Sequence, residues 1–355
     1  MSDINTILGQ SLSPWMSGSG AEADIVLSSR VRLARNLAKV PFPNQADSGK
    51  TAVVLRELET SIDDLIQTNG KNYLWINISD LSPVERRVLV EKHIISFDLI
   101  QEPVNRALIV REDAAISIMV NEEDHLRIQS LHSGLDLLGA LQAANLVDDC
   151  IESRHTFAFD ARLGYLTACP TNLGTGLRAS VMVHLPALVL TQQMNRVVSA
   201  ATQLGLAVRG LYGEGTETTG NIFQISNQLT LGYNEMEIID NLRNVVCQIV
   251  DQERTARKAL LKKSKDDLSD RVWRSYGILR YARKISGQEA LSMLSEVRLG
   301  TDLQIIEEIG PQTFNELLVA TRTNFLQRFS GRGDLSTVEC DQLRAQIIRE
   351  KLQGV

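Results

Sequence analysis

The spacing of apolar residues changes period once along this 355-residue chain, near residue 235, and that change restricts the folds open to it. Up to about residue 227 the apolar residues come mostly in short, β-branched runs broken by turn residues, with a few helical stretches between them. From Glu235 onward Ile238, Ile239, Leu242, Val245, Val246, Ile249 and Val250 fall on one helical stripe, and helical spacing dominates to the end. The length exceeds that of a usual single domain. We therefore expect an α+β body over 24–257 preceded by an arm over 1–23, and a helical domain over 258–355. The boundary belongs near 255–265, where Arg254, Arg257, Lys258, Lys262, Lys263 and Lys265 mark a solvated stretch.

The arm is loop-like, with Trp15 as the aromatic that could pin it to the body. In the strand that follows, Arg30 and Arg32 share one face, because strand side chains repeat every two residues. Two cations on one face require something anionic opposite, either solvent counter-ions or a ligand. Val54, Leu58, Ile62 and Leu65 predict an amphipathic helix over 51–67, and Ser82-Pro83 opens another that runs to His93. Asn105 to Val110 and Ala115 to Val120 read as an antiparallel hairpin, which delivers the acids Glu122, Glu123 and Asp124 at a strand end. These acids are either a solvated turn or part of a site. A helix over 134–152 and paired strands at 157–159 and 164–168 lead into Cys169-Pro170-Thr171-Asn172-Leu173-Gly174-Thr175-Gly176-Leu177-Arg178. That loop could set a thiol and a cation in one cleft, or simply bury a free cysteine. After it come a helix over 187–204, a strand at 206–211, a glycine-rich lid at 212–220 and a strand at 221–227.

Composition narrows the function classes. A net charge of −6 argues against broad nucleic-acid coating, although a few arginines can still make a local anion site. The four cysteines, Cys150, Cys169, Cys247 and Cys340, form no Cys-x-x-Cys pair and have no histidine at zinc spacing, so free thiols and no protein metal site are expected. No segment is long and apolar enough to span a bilayer, and the start lacks a signal pattern, which together point to the cytoplasm. Gly49-Lys50-Thr51 is not a phosphate loop, because its first glycine would fall at Asn44.

The alternating arginines, the string Asn121-Glu122-Glu123-Asp124-His125-Leu126-Arg127, the Cys169-Pro170-Thr171-Asn172 loop and Arg209-Gly210-Leu211-Tyr212-Gly213-Glu214 occur together and in order. This set resembles the ATP:guanidino phosphotransferases, the family of arginine and creatine kinases, over roughly residues 20–255. Within that family the chain is more similar to the bacterial protein-arginine kinases, which lack a separate N-terminal helical domain and carry an extra helical C-terminal one. The resemblance implies a curved antiparallel sheet flanked by helices, with a helical domain that mediates dimerisation. It implies that Arg30, Arg32, Arg127, Arg178 and Arg209 surround the phosphates of ATP carried with Mg2+, and that His93 lies near the adenine. Ser28, Ser29 and Val31, the run Ala179, Ser180, Val181 and Met182, and the stretch Gly210, Leu211, Tyr212, Gly213 and Glu214 complete the nucleotide site it implies. Glu123 and Glu214 match the carboxylates that hold the acceptor guanidinium, and Cys169 the thiol beside it.

For the tail the resemblance implies a phosphoarginine pocket at Asp341 and Arg344, but the family's first arginine is replaced here by Cys340. The implied activity is ATP-dependent phosphorylation of arginine in proteins, as a mark for a Clp-type unfoldase and protease, with a small zinc-containing activator and a second copy of the chain as partners. A free-arginine kinase and an idle phosphoarginine-binding adaptor are the alternatives.

Overall fold

The computed structural model describes residues 4–211, 219–307 and 309–353. Ten strands run β1 (Val26–Arg35), β2 (Tyr73–Asn77), β3 (Ala107–Arg111), β4 (Ile116–Val120), β5 (Leu126–Ser133), β6 (Phe159–Asp160), β7 (Gly164–Tyr165), β8 (Leu177–His184), β9 (Leu206–Gly210) and β10 (Ile222–Asn227). Eight of them make one antiparallel sheet in the order β2-β3-β4-β5-β1-β8-β10-β9, while β6 and β7 pair as a separate small hairpin. The helices are α1 (Ile4–Gly9), α2 (Ser48–Glu59), α3 (Ile62–Asn69), α4 (Pro83–Glu91), α5 (Leu137–Glu152), α6 (Pro186–Leu190), α7 (Met194–Gln203), α8 (Glu235–Lys263), α9 (Lys265–Tyr281), α10 (Gly287–Asp302), α11 (Pro311–Ala320), α12 (Thr323–Phe329) and α13 (Thr337–Gln353). The α+β body and helical C-terminal part match the expectation.

Local sequence sets most helix starts. Asp47 accepts the Lys50 N–H at 2.9 Å to open α2. Ser82 and Glu85 form a reciprocal capping box around Pro83 at α4, and Asn234 and Glu237 do the same for α8. Two expected helices are each split. The 51–67 helix breaks at Thr60-Ser61, where buried Ser61 is drawn to His155 Nε2 at 3.0 Å and Thr60 bonds back to the Glu57 carbonyl. The 187–204 helix breaks around Gln192, which adopts a left-handed φ of 57°. α8 continues a few residues past 257 and ends at Ser264, within the 255–265 stretch expected to hold the boundary.

The sheet separates two cores. On one face Val31, Leu33, Ile118, Ile128, Val181 and Ile225 pack with Leu141 and Ala144 of α5 and Leu242 and Val246 of α8. Toward the other face Leu27, Leu108, Met119, Leu131 and Met182 belong to a second core shared with the arm, α4 and the C-terminal helices, including Leu279, Leu294, Leu317 and Ile348. The helical domain is thus continuous with the sheet's core. Trp15 is fully buried and does pin the arm, as its composition suggested. Glu91 of α4 reaches across to cap α12, accepting from the Asn324 and Phe325 N–H groups at 3.1 and 2.9 Å.

Candidate active site

Residues directly opposite in adjacent antiparallel strands lie on the same face of a sheet. Arg32 stands opposite Gln129 on β5 and Arg178 on β8; Arg30 stands opposite Leu131 and Ser180; Arg209 stands opposite Gln224 on β10. Since Gln224 in turn faces Met182, and Met182 faces Ser28, one surface carries Ser28, Arg30, Arg32, Arg127, Arg178, Ser180, Met182 and Arg209. All five expected arginines therefore project from four strands onto one face. The same alternation turns the side chains of Ser29, Val31, Ala179 and Val181 to the opposite, core face, away from the arginines. Ser29 instead donates to the Gly134 carbonyl at 2.8 Å and accepts the Asp136 N–H. Gly210 shares the core-facing register with Phe223, and Leu211 packs against the second core. Tyr212, Gly213 and Glu214 lie outside the described residues.

The face is strongly electropositive. Burial, reinforced by Arg127 and Arg178, pushes the Arg30 guanidinium down to about 10, and burial with its neighbouring cations lowers Arg32 further. Burial also lowers Arg178, with Arg209 and Arg127 adding to the effect. Such mutual repulsion is relieved when an anion enters. Arg30 is held in place by Gln224 Oε1 at 2.7 Å and Ser180 Oγ at 3.2 Å. At one end of the face Trp15, Ser28, Arg30, His93 and Met182 line a small cavity, and Trp15 meets His93 edge-on at 5.6 Å. Burial, then Arg30, holds His93 down at about 3, so it is neutral near pH 7.

The three consecutive acids do three different jobs. Glu122 is buried, accepting from Arg127 Nη1 and Ser96 Oγ. Asp124 is buried too, accepting the Asn36 amide at 2.6 Å and the Ala168 N–H at 2.7 Å, so it ties the acidic turn to the residue before Cys169. Glu123 alone is exposed, and partial burial together with Asp124 and Glu122 raises its carboxyl despite the opposing Arg127. Cys169 is half-buried, with its Sγ 3.0 Å from Thr171 Oγ1. The Arg178 guanidinium feels both Cys169 and Glu123, which support its charge. An acid, a thiol and an arginine thus converge at the edge of the cationic face. That arrangement can hold a polyanion on one side and a guanidinium on the other.

The chain matches the model of the ATP:guanido phosphotransferase C-terminal catalytic domain over residues 54–256. The chain belongs to the ATP:guanido phosphotransferase family. Residues 265–355 match the protein-arginine kinase McsB C-terminal domain. Among relatives, the protein-arginine kinase of Bacillus subtilis (strain 168) is 50% identical over 349 residues, covering 98% of this chain and 96% of its own length. That of Moorella thermoacetica is 51% identical over 343 residues, covering 96% and 98%. Solved structures agree: a lombricine kinase is 26% identical with a TM-score of 0.57 over 74% of this chain and 78% of that one. A duplicated taurocyamine kinase from Schistosoma mansoni, 24% identical with a TM-score of 0.60 over 77% and 38%, shares the fold.

In this member of the family the tail pair is an interior one. Arg344 donates to Asp341 Oδ1 at 2.6 Å, to the Ile285 carbonyl at 2.9 Å and, through Nε, to the Thr321 carbonyl at 2.8 Å. Those bonds tie α13 to two helix connections, and an incoming phosphate would compete with them. Cys340 is buried beside the pair. Sequence reasoning missed the supporting residues. Arg35, which looks like the next of the alternating arginines, is three residues from Arg32 and so faces away from it; it is buried against Asp148 at 2.7 Å, over the Tyr165 ring, and bonds the Thr175 carbonyl behind the Cys169 loop. Odd spacing was the signal. Gly174 and Gly176 let that loop pass close to other backbone: a Cβ on either would lie 2.7 Å from the Thr230 carbonyl or 2.6 Å from that of Ala34.

Proposed function

We propose that this enzyme transfers the γ-phosphoryl group of ATP to a guanidino nitrogen of arginine side chains in proteins. The observation that carries the reading is Glu123, an accessible carboxylate of raised basicity at the rim of a face lined by five arginines. Near-full-length relatives named protein-arginine kinase support the choice of acceptor.

Phosphoryl transfer asks the protein for alignment and for neutralisation of charge on the moving group. One arginine about 4 Å from a phosphate contributes roughly 4 kcal/mol of Coulomb attraction at an effective dielectric near 20, before desolvation is subtracted. The acceptor guanidinium, with a pKa of about 12.5 to 13.8, must lose a proton before it can attack. Glu123 pairs with it and takes that proton, while the Cys169 sulfur orients the remaining nitrogen. Among the described residues no group of three or more His, Cys, Asp or Glu is gathered to hold a metal ion. Magnesium would therefore come with the nucleotide, completing its shell from phosphate oxygens and water. On the same reading the product is a degradation mark for a Clp-type protease, and the helical domain meets a second copy.

Incubating the protein with magnesium ATP and either free arginine or an unfolded model protein, then locating acid-labile phosphate by mass spectrometry, tests this. Labelling of protein arginine supports it; labelling of the free amino acid alone overturns it.

A further inference from the structure

Outside the arginine face lies a groove of about 610 Å³, within the roughly 300–1,000 Å³ range that accommodates a compact ligand. It runs between the end of α7, the segment after β10 and the start of α8. Leu204, Leu229, Tyr233 and Ile238 supply its apolar lining, and Glu237 and Asn241 its polar edge. Leu204, Leu229 and Tyr233 are each about half exposed, as are the nearby Leu231 and Met236, so this is a concentration of large apolar side chains left in water.

The wall of the groove is hydrogen-bonded to the loop that carries Cys169 on the acceptor side of the site. Thr230, between two of those leucines, donates to the Thr171 and Leu173 carbonyls at 3.0 and 2.6 Å, directly behind Cys169. Asn227, which lines the groove, donates to the Leu177 and Leu229 carbonyls and accepts the Ala179 N–H at 2.8 Å, bracketing Arg178. Charge points the same way. The arginine face suits a nucleotide, whereas the groove has Glu237 and neither lysine nor arginine among its lining residues. An apolar channel edged by one carboxylate and no cation disfavours a nucleotide and suits a chain that carries apolar and cationic side chains.

We propose that this groove binds an extended, unfolded segment of the acceptor protein, flanking the arginine that is presented to Glu123 and Cys169. The inference rests on the protein-acceptor reading and adds how that acceptor is chosen. A folded surface would offer neither free apolar side chains nor a strand-like backbone to the channel, so the groove selects for loss of structure.

The test compares full-length wild type with Leu229→Ser and Tyr233→Ser, and with Leu138→Ser, which alters an exposed leucine on α5 as a control. The readout is the ratio of kcat/KM for a permanently unfolded model protein to that for a short, single-arginine peptide. The groove variants should lower the ratio about tenfold, the loss of one well-packed anchor, with Leu138→Ser leaving it where it was. Equal loss on both acceptors, or no change, overturns the groove alone. A fall in oligomer size by light scattering in the two groove variants would assign the surface to a second copy of the chain and likewise overturn it. Absence of protein labelling by the wild type would overturn the protein-acceptor reading, and the groove with it.

Discussion

Glu123 is useful because its neighbours are committed elsewhere. With Glu122 locked to Arg127 and Asp124 to the Asn36 amide and the Ala168 N–H, the turn presents one carboxylate outward on a rigid base. Glu123→Gln keeps the shape and removes the proton acceptor. We expect kcat to fall on the order of 10²- to 10⁴-fold, as for loss of a general base, with the ATP dissociation constant unchanged by calorimetry. Asp124→Ala acts differently, because it strands buried donors on Asn36 and Ala168. It should cost about 1–3 kcal/mol in urea unfolding and misplace the Cys169 loop, so stability and turnover fall together. His93 offers a contrasting pH test. Its imidazole is pushed to about 3 by burial, then by Arg30 and Arg322, so it stays neutral through pH 5–8. A profile of ATP affinity over that range should lack a step near 6.5; such a step, abolished in His93→Gln, would contradict the assignment.

At the scale of elements, what could be read from sequence was whatever depends on local period. Alternation in β1 put Arg30 and Arg32 together, and the register of β5, β8 and β9 then brought Arg127, Arg178 and Arg209 to the same face. The run 179–182 was legible only as a strand, since a strand contributes alternate residues to a cleft and the others to a core. Breaks at Ser61 and Gln192 were not legible, because they depend on partners distant in sequence, such as His155, or on backbone torsion. The arm depends on distant partners as well. Lys92 at the end of α4 is buried and donates its ammonium to the Ile7 and Gln10 carbonyls, which fastens α1 to the body. Burial, with Arg328 adding, lowers it to about 8 from an ordinary 10.5. The unfolded chain therefore binds more protons between those values, and stability gained from deprotonation rises with pH through that window. The difference in urea midpoint between wild type and Lys92→Met should shift in favour of wild type from pH 8 to pH 10. A constant difference would mean that the ammonium is not strained by burial.

For the whole molecule, the question is whether the catalytic body and the helical domain unfold as two units or one. Glu253 on α8 is fully buried, capping α6 through the Ala187 and Leu188 N–H groups and accepting Arg257 Nε at 2.8 Å. Arg257 then reaches Asp302 on α10 at 3.2 Å, and Asp302 also accepts Arg298 Nε at 2.8 Å. Arg298 returns to the Ala23 carbonyl, where the arm enters β1. The arm, the body and the helical domain thus share one buried chain of charges, in which Asp302 accepts from both Arg257 and Arg298. Removing one partner of a buried pair typically costs about 3–5 kcal/mol, because the remaining charge is left uncompensated. Asp302→Ala should therefore lower stability by about that amount. Because the sheet's second core continues into α9 to α13, the loss should be felt on both sides. Variants that retain only Trp15, in the arm, or only Trp273, on α9, would report the two sides separately by fluorescence. In urea their transitions should coincide, and with Asp302→Ala both should move together to lower denaturant. If only the Trp273 transition moved, the junction would be a contact between independently folding domains, and the buried charges would not link the helical domain to the catalytic face.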